Sequence, residues 1–221
     1  MKTTKLITKL KSISLILISS IFFSLLISCG GSNNNQHQES SESYQEPIPA
    51  PVKATSNYYI NSSSNEGLAE IIFEHNGVIV RTPKGDLFGE LKGDKRKYYN
   101  QNDQFRNAVK FKEGSFKLRD ENEELLWKVK IYDDKIKLAN NEEMTDPFDV
   151  RFSDSNKIKV KKNGEEIAAL RMVSGDSFVN VGDNYVVRNF DNSLAIGILL
   201  IDDIQQEHKF LLAAEILKMG R

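Results

Sequence analysis

Four passages of this chain share one plan, and that plan restricts the fold more than any other feature. They are VRTPKGDLFGEL (80–91), LRDENEELLWKV (118–129), VKKNGEEIAAL (160–170) and VRNFDNSLAIGI (187–198). Each opens on an aliphatic residue followed by a base: Arg81, Arg119, Lys161 or Arg188. Each then passes through a polar turn holding Gly or Asn into a new apolar run, the pattern of a β-hairpin. Asn163-Gly164 is the strongest turn signal, and Asn76-Gly77 adds another upstream. Further turns are expected at Tyr132-Asp133-Asp134 and Asp154-Ser155-Asn156.

The segments between the turns alternate. Phe116 and Leu118 share one phase, with Lys117 and Arg119 on the other. Leu125, Trp127, Val129 and Ile131 form an apolar face opposite Lys128 and Lys130. Ile136 and Leu138 alternate with Lys135 and Lys137, and Ile158 and Val160 with Lys157, Lys159 and Lys161. Period two with lysine on the wet side predicts antiparallel sheet solvated on one face. Trp127 falls on the apolar phase and reads as core. The lysine rows read as a solvated face, because Asp and Glu are interleaved with them.

The carboxyl end breaks this rhythm. LAIGILLI (194–201) is the most apolar segment of the folded part and reads as a strand. Asp202-Asp203 offers a helix cap. From Ile204 to Leu217 the residues are strong helix formers, apolar on more than one face, and Gly220 stands where a helix would stop. The expected fold class is therefore mainly β: an antiparallel meander of hairpins, barrel or sandwich, with one apolar C-terminal helix. That helix is either threaded through a barrel or packed outside a lipocalin-like calyx or a sandwich.

The amino terminus speaks for location. MKTTKLITKLK is a basic leader, followed by an apolar run too short for the roughly 20 residues a spanning helix needs. Leu26-Ile27-Ser28-Cys29 closes that run and resembles the lipobox of bacterial lipoproteins. The resemblance implies cleavage between Ser28 and Cys29, a diacylglyceryl thioether on Cys29, and an acyl chain such as palmitate on the new amino group. Two or three chains hold a protein firmly where one does not. Gly30, not Asp, follows the cysteine, which implies the outer membrane where the source has two membranes. The competing reading is an incidental thiol in an uncleaved leader.

The segments are then a signal peptide (1–28), a lipidated cysteine with a polar tether (29–56) and one β-rich domain (57–221). The tether is rich in Gly, Ser, Asn, Gln and Glu, and a coil of its length spans on the order of 30 Å. Pro47, Pro49 and Pro51 stiffen its far end.

Phe116 to Ile131 (FKLRDENEELLWKVKI) and Leu194 to Leu217 (LAIGILLIDDIQQEHKFLLAAEIL) together resemble the tubby-like family, with its LURP-one and scramblase-like branches. The likeness covers about 150 residues. It implies a closed antiparallel barrel around a hydrophobic terminal helix. A barrel filled in that way has no room for a ligand. The chain departs from the family in showing no concentrated basic pocket, so lipid-head-group binding is not carried over.

Catalytic signatures are missing. Cys29 is the only cysteine, which excludes a disulfide framework and leaves no thiol for catalysis or thiolate metal sites. His37, His75 and His208 have no metal-ligand spacing. No GxSxG, P-loop or dinucleotide fingerprint occurs, and no DxDxDG calcium loop accompanies Asp133-Asp134 or Asp202-Asp203. Glu123-Glu124 and Glu165-Glu166 fall in expected turns, where carboxylates are solvated. No catalytic residue, metal ligand or cofactor is expected. The net charge of −1 becomes −5 without the leader, from 26 bases against 31 acids, which disfavours nucleic acid. Tyr58-Tyr59 and Tyr98-Tyr99 are the best candidates for an exposed contact patch.

The sequence thus leads to a lipid-anchored envelope protein, not an enzyme. Its β-domain would bind or brace an unidentified protein, glycan or lipid partner. The alternatives are a carrier of an apolar ligand and, further off, a wall or glycan hydrolase.

Overall fold

A computed structural model describes residues 57–173, 176–189 and 191–221. The signal, the lipobox with Ser28 and Cys29, the tether and His37 lie outside the described residues.

The first half of the wall is built from β1 (Tyr58–Ser62), β2 (Gly67–Phe73), β3 (Gly77–Thr82), β4 (Gly85–Lys92), β5 (Lys95–Asn100), β6 (Phe105–Lys112) and β7 (Ser115–Arg119). The second half is β8 (Leu125–Ile131), β9 (Lys135–Ala139), β10 (Phe148–Asp154), β11 (Lys157–Lys162), β12 (Glu165–Arg171), β13 (Phe178–Val181) and β14 (Tyr185–Arg188). Two helices end the chain: α1 (Ala195–Ile198) and α2 (Gln206–Lys218). Strands β1 to β12 run as an uninterrupted antiparallel meander. The β13–β14 hairpin then returns to pair β14 with β1, giving one 14-stranded, nearly closed barrel. Its two unpaired edges are β12 and β13.

Short turns made from local side chains set the registers. Asn163 (φ 53°) and Gly164 (φ 85°) both take left-handed backbone, so this two-residue turn matches the strand twist of β11–β12. In the β7–β8 turn the Asp120 carboxylate accepts from the Asn122 and Glu124 amides at 2.9 and 2.8 Å. Asn100 does the same for Asn102 and Gln104 between β5 and β6, at 3.0 Å each. These are Asx turns, in which a side chain supplies the acceptor that would otherwise be backbone.

Strand alternation sends the apolar phase inward, and Trp127 is buried there against Phe148, with ring centroids 6.4 Å apart. The lumen so lined is filled by the helices. All four residues of α1 are buried. Gly197 lies so close to the wall that a Cβ would overlap Val150 Cγ1 and stand 2.9 Å from Ile158 Cγ2. Helix α2 packs on β2 and β3 and buries every residue from Lys209 to Ile216. It stops in a Schellman arrangement at Gly220 (φ 71°): the Gly220 amide donates to Leu217 O at 2.9 Å and the Arg221 amide to Ile216 O at 3.2 Å.

Three expectations for the carboxyl end are corrected. The passage 187–198 is not a hairpin, since β14 ends at Arg188 and the chain turns into the lumen. LAIGILLI is not a strand but contains the turn of helix α1, started by the Ser193 hydroxyl accepting from the Ala195 amide at 3.1 Å. A run apolar on every side fits a buried helix as well as a buried strand, and periodicity does not separate them. Asp202-Asp203 does not cap α2, whose N-cap is Gln205 with no side-chain bond. Asp203 instead accepts from Lys162 at 2.7 Å. The barrel therefore holds two helices and not one.

Candidate functional site

The polar groups of the lumen come first, because burial makes them consequential. On β5, alternation turns Lys95, Lys97 and Tyr99 outward and Arg96 and Tyr98 inward. Arg96 and Tyr98 are both buried. They meet Glu215, the carboxylate that α2 carries in its most apolar stretch. The Arg96 guanidinium donates to Glu215 Oε2 in a buried ion pair, and the Tyr98 hydroxyl donates to Oε1 at 2.6 Å. Gly89, opposite Tyr98 on β4, makes room: a Cβ there would stand 2.6 Å from the Tyr98 ring and 2.9 Å from Arg96 Cδ. Arg96 also lies over the Phe111 ring, 5.5 Å from its centroid. Among the buried side-chain atoms of the described residues, only Arg96 Nε has no partner.

Burial pushes the Glu215 carboxyl above its ordinary range, against the pull of Arg96, the Tyr98 bond and Lys218. Burial likewise raises the Tyr98 phenol, helped by the Glu215 charge. This cluster can anchor α2 to the wall. It lines neither the small pocket beside α1 and α2 nor the outer groove between the β2–β3 turn and β4.

A second anchor lies farther along the lumen. Lys209 is buried on α2; its ammonium donates to Leu199 O at 3.1 Å and lies 5.3 Å from the Tyr185 ring centroid. Burial lowers its pKa against the opposing pull of Asp202. A pocket of about 10 Å³ lies against the helices, bounded by Tyr58, Ile71, Ala195, Leu199 and Ala213 among others. A single water needs about that much.

The outer surface carries an open groove of about 540 Å³ between the β2–β3 turn and β4. His75, Ile79, Phe88, Glu90 and Leu91 line it, and Phe88 and Leu91 are exposed. His208 lies apart on α2, half-buried, and burial lowers its pKa.

The lysine rows prove to be in register. Lys92, Lys95, Lys110, Lys117 and Lys128 stand directly opposite one another from β4 to β8. Like charges in that position repel, yet each has a carboxylate within 4 Å. Glu90 lies 3.2 Å from Lys92, Glu123 3.7 Å from Lys95 and Asp94 3.8 Å from Lys110. Glu142 serves Lys117 at 2.6 Å, Arg119 at 3.3 Å and Lys128 at 3.7 Å. The Lys117 hydrogen bond, with the neighbouring charges, holds the Glu142 carboxyl below its ordinary range. Glu90 lies on β4 itself, and the turns and loops supply the rest of the counter-charge through Asp94, Glu123 and Glu142, as a solvated face requires.

The tyrosine patch is corrected. Period two splits each doublet: Tyr59 is exposed and Tyr99 half-buried, but Tyr58 and Tyr98 are buried. Tyr58 donates to Asp191 at 2.6 Å, and burial with that carboxylate raises its phenol. Of the carboxylate doublets, Glu123 and Glu124 do lie in the β7–β8 turn, whereas Glu165 and Glu166 begin β12, with Glu166 2.6 Å from Lys159. Among the described residues no group of three or more His, Cys, Asp or Glu is placed to hold a metal ion. No described helix is long and apolar enough to cross a membrane. The Arg96–Tyr98–Glu215 cluster escaped sequence reasoning. Its signals were a base on the inward phase of β5 and a lone acid inside an apolar helical run.

No family model matches the chain, and neither a curated protein nor a solved structure matches it.

Proposed function

We propose that this chain is a lipid-anchored envelope lipoprotein whose barrel is a non-catalytic binding or bracing module. It works through its outer surface. The observation that carries this reading is the filled lumen. The pocket lined by helices α1 and α2 holds about 10 Å³, far below the several hundred cubic ångströms of an ordinary ligand pocket. The inward-facing ionisable groups Arg96, Tyr98, Glu215 and Lys209 are engaged with one another or with backbone, so none is offered to a substrate. The apolar-carrier alternative loses its main support for the same reason. The helix-filled barrel also supports the likeness to the tubby-like architecture, without importing any ligand from it.

The anchor rests on Leu26-Ile27-Ser28-Cys29, and the envelope location rests on the anchor. Replacing Cys29 by Ser and fractionating cells tests both. The natural chain should be found processed in washed membranes, and C29S should stay unprocessed and unlipidated. If C29S is cleaved and retained like the natural chain, the anchor reading fails. Capture of envelope partners by the processed chain, with reduced capture when Phe88 and Leu91 are both changed to Ser, would place binding on the outer groove.

A further inference from the structure

Beside the row of lysines that meet their carboxylates runs a second row that does not. On the outward phase, Lys112 of β6 stands opposite Ser115 of β7, Ser115 opposite Lys130 of β8, and Lys130 opposite Lys137 of β9. Lys137 then faces Asp149 of β10, and Asp149 faces Lys161 of β11. Among the described residues no carboxylate comes within 4 Å of any of these four lysines. The acids in the row are already taken. Asp149 accepts from Arg151 Nε at 2.7 Å, and Glu166, opposite Lys161, lies 2.6 Å from Lys159. Lys130 and Lys137 are thus like charges face to face without a carboxylate between them, an arrangement that costs stability. In the first row every such approach is compensated.

Uncompensated like charge on a folded surface attracts anions, and the shape of the row says which kind. Neighbouring strands lie about 4.8 Å apart, so the four lysines form a line and not a pocket. The line crosses six of the fourteen strands, β6 to β11, and bends with the convex wall. A flat bilayer touches such a wall along a few strands only, whereas a flexible linear anion can follow it. Next to the row, just past the end of β8, Tyr132 is 41% exposed, with the Lys135 ammonium 5.5 Å from its ring centroid. An exposed aromatic ring gives the C–H face of a sugar an apolar surface to lie on. Cations in a line with an aromatic ring beside them suit a chain of acidic sugars.

We propose that the outer face of β6 to β11 binds a linear acidic glycan, with its anionic groups on Lys112, Lys130, Lys137 and Lys161 and a sugar ring on Tyr132. This face is separate from the groove of Phe88 and Leu91. The preference for a glycan over a nucleic acid rests on the envelope reading; the uncompensated row does not.

The test is retention of the purified full chain, in mild detergent, on immobilised polygalacturonate. The natural chain should be held at about 50 mM salt and released by about 0.5 M, because salt screens these charges. Neutral dextran should hold nothing. The C29S chain should bind equally, so a failed anchor leaves this result standing. Lys130→Gln with Lys137→Gln should weaken binding about tenfold. Both side chains point outward with no ion pair among the described residues, so the fold is kept. Lys92→Gln with Lys95→Gln removes the same charge from the compensated row and should change binding less than about threefold. Tyr132→Ser should weaken binding but leave its salt dependence unchanged, since no charge is lost. A natural chain that polygalacturonate does not retain, or equal losses in the two double variants, would overturn the proposal. So would a Tyr132→Ser chain that binds as well as the natural one, or tighter binding to a single-stranded oligonucleotide of equal charge.

Discussion

The lumen and the outer wall of this barrel use the same charged residue types under different physics. Inside, Arg96 and Glu215 are both almost wholly removed from water, and each depends on the other. Outside, Lys117, Arg119 and Lys128 converge on Glu142 while water still reaches all four. An exposed pair gains little over its hydrated alternative. A buried charge that loses its partner has no hydration to fall back on. The lumen therefore holds the fold in one arrangement, and the wall can tolerate change and remain available for contact.

The sharpest way to break this contrast is Glu215→Ala, which strands the Arg96 guanidinium. Chemical denaturation should show a loss of about 3–5 kcal/mol. Replacing Arg96 by Met and Glu215 by Leu together should recover most of that loss, since an apolar pair needs no charge compensation. Packing gives the next effect. Gly197→Ala drives a methyl into Val150 and Ile158 and should cost about 1–3 kcal/mol. Gly67→Ala, at a position with no atom within 4 Å of the new methyl, should stay within about 0.5 kcal/mol of the natural chain.

The smallest effect is expected at the wall. Glu142→Gln should change stability by less than about 1 kcal/mol, and added salt should shrink even that. The pH dependence follows from the same carboxylate. Its pKa is lower folded than unfolded, so its contribution is present above the unfolded carboxylate range and is lost as pH falls through the folded value. A stability–pH curve should thus lose a little of its acid-side slope in Glu142→Gln. A large loss at neutral pH would mean that the wall, like the lumen, is a structural charge network.

The same division governs what could be read from the sequence. Hairpins β7–β8 and β11–β12 were legible because alternation and turn residues are local signals, and the wall is half wet. Residues 194–201 were not legible: nothing polar marks a phase in them, so helix and strand look alike. The tyrosine doublets misled because adjacent aromatics were treated as one patch, while a strand must send one inward and one outward. The Arg96–Glu215 pair joins positions 119 residues apart, and no spacing rule reaches that far.

Hydrogen exchange along residues 206–218 tests the filled lumen most directly. If α2 occupies the barrel, its central amides open only when the whole wall unfolds, so their exchange free energies should equal the global stability and fall with it in Glu215→Ala. Exchange of those amides by a smaller opening, with the strands β1 to β12 still protected, would place the helix outside the lumen and contradict the account.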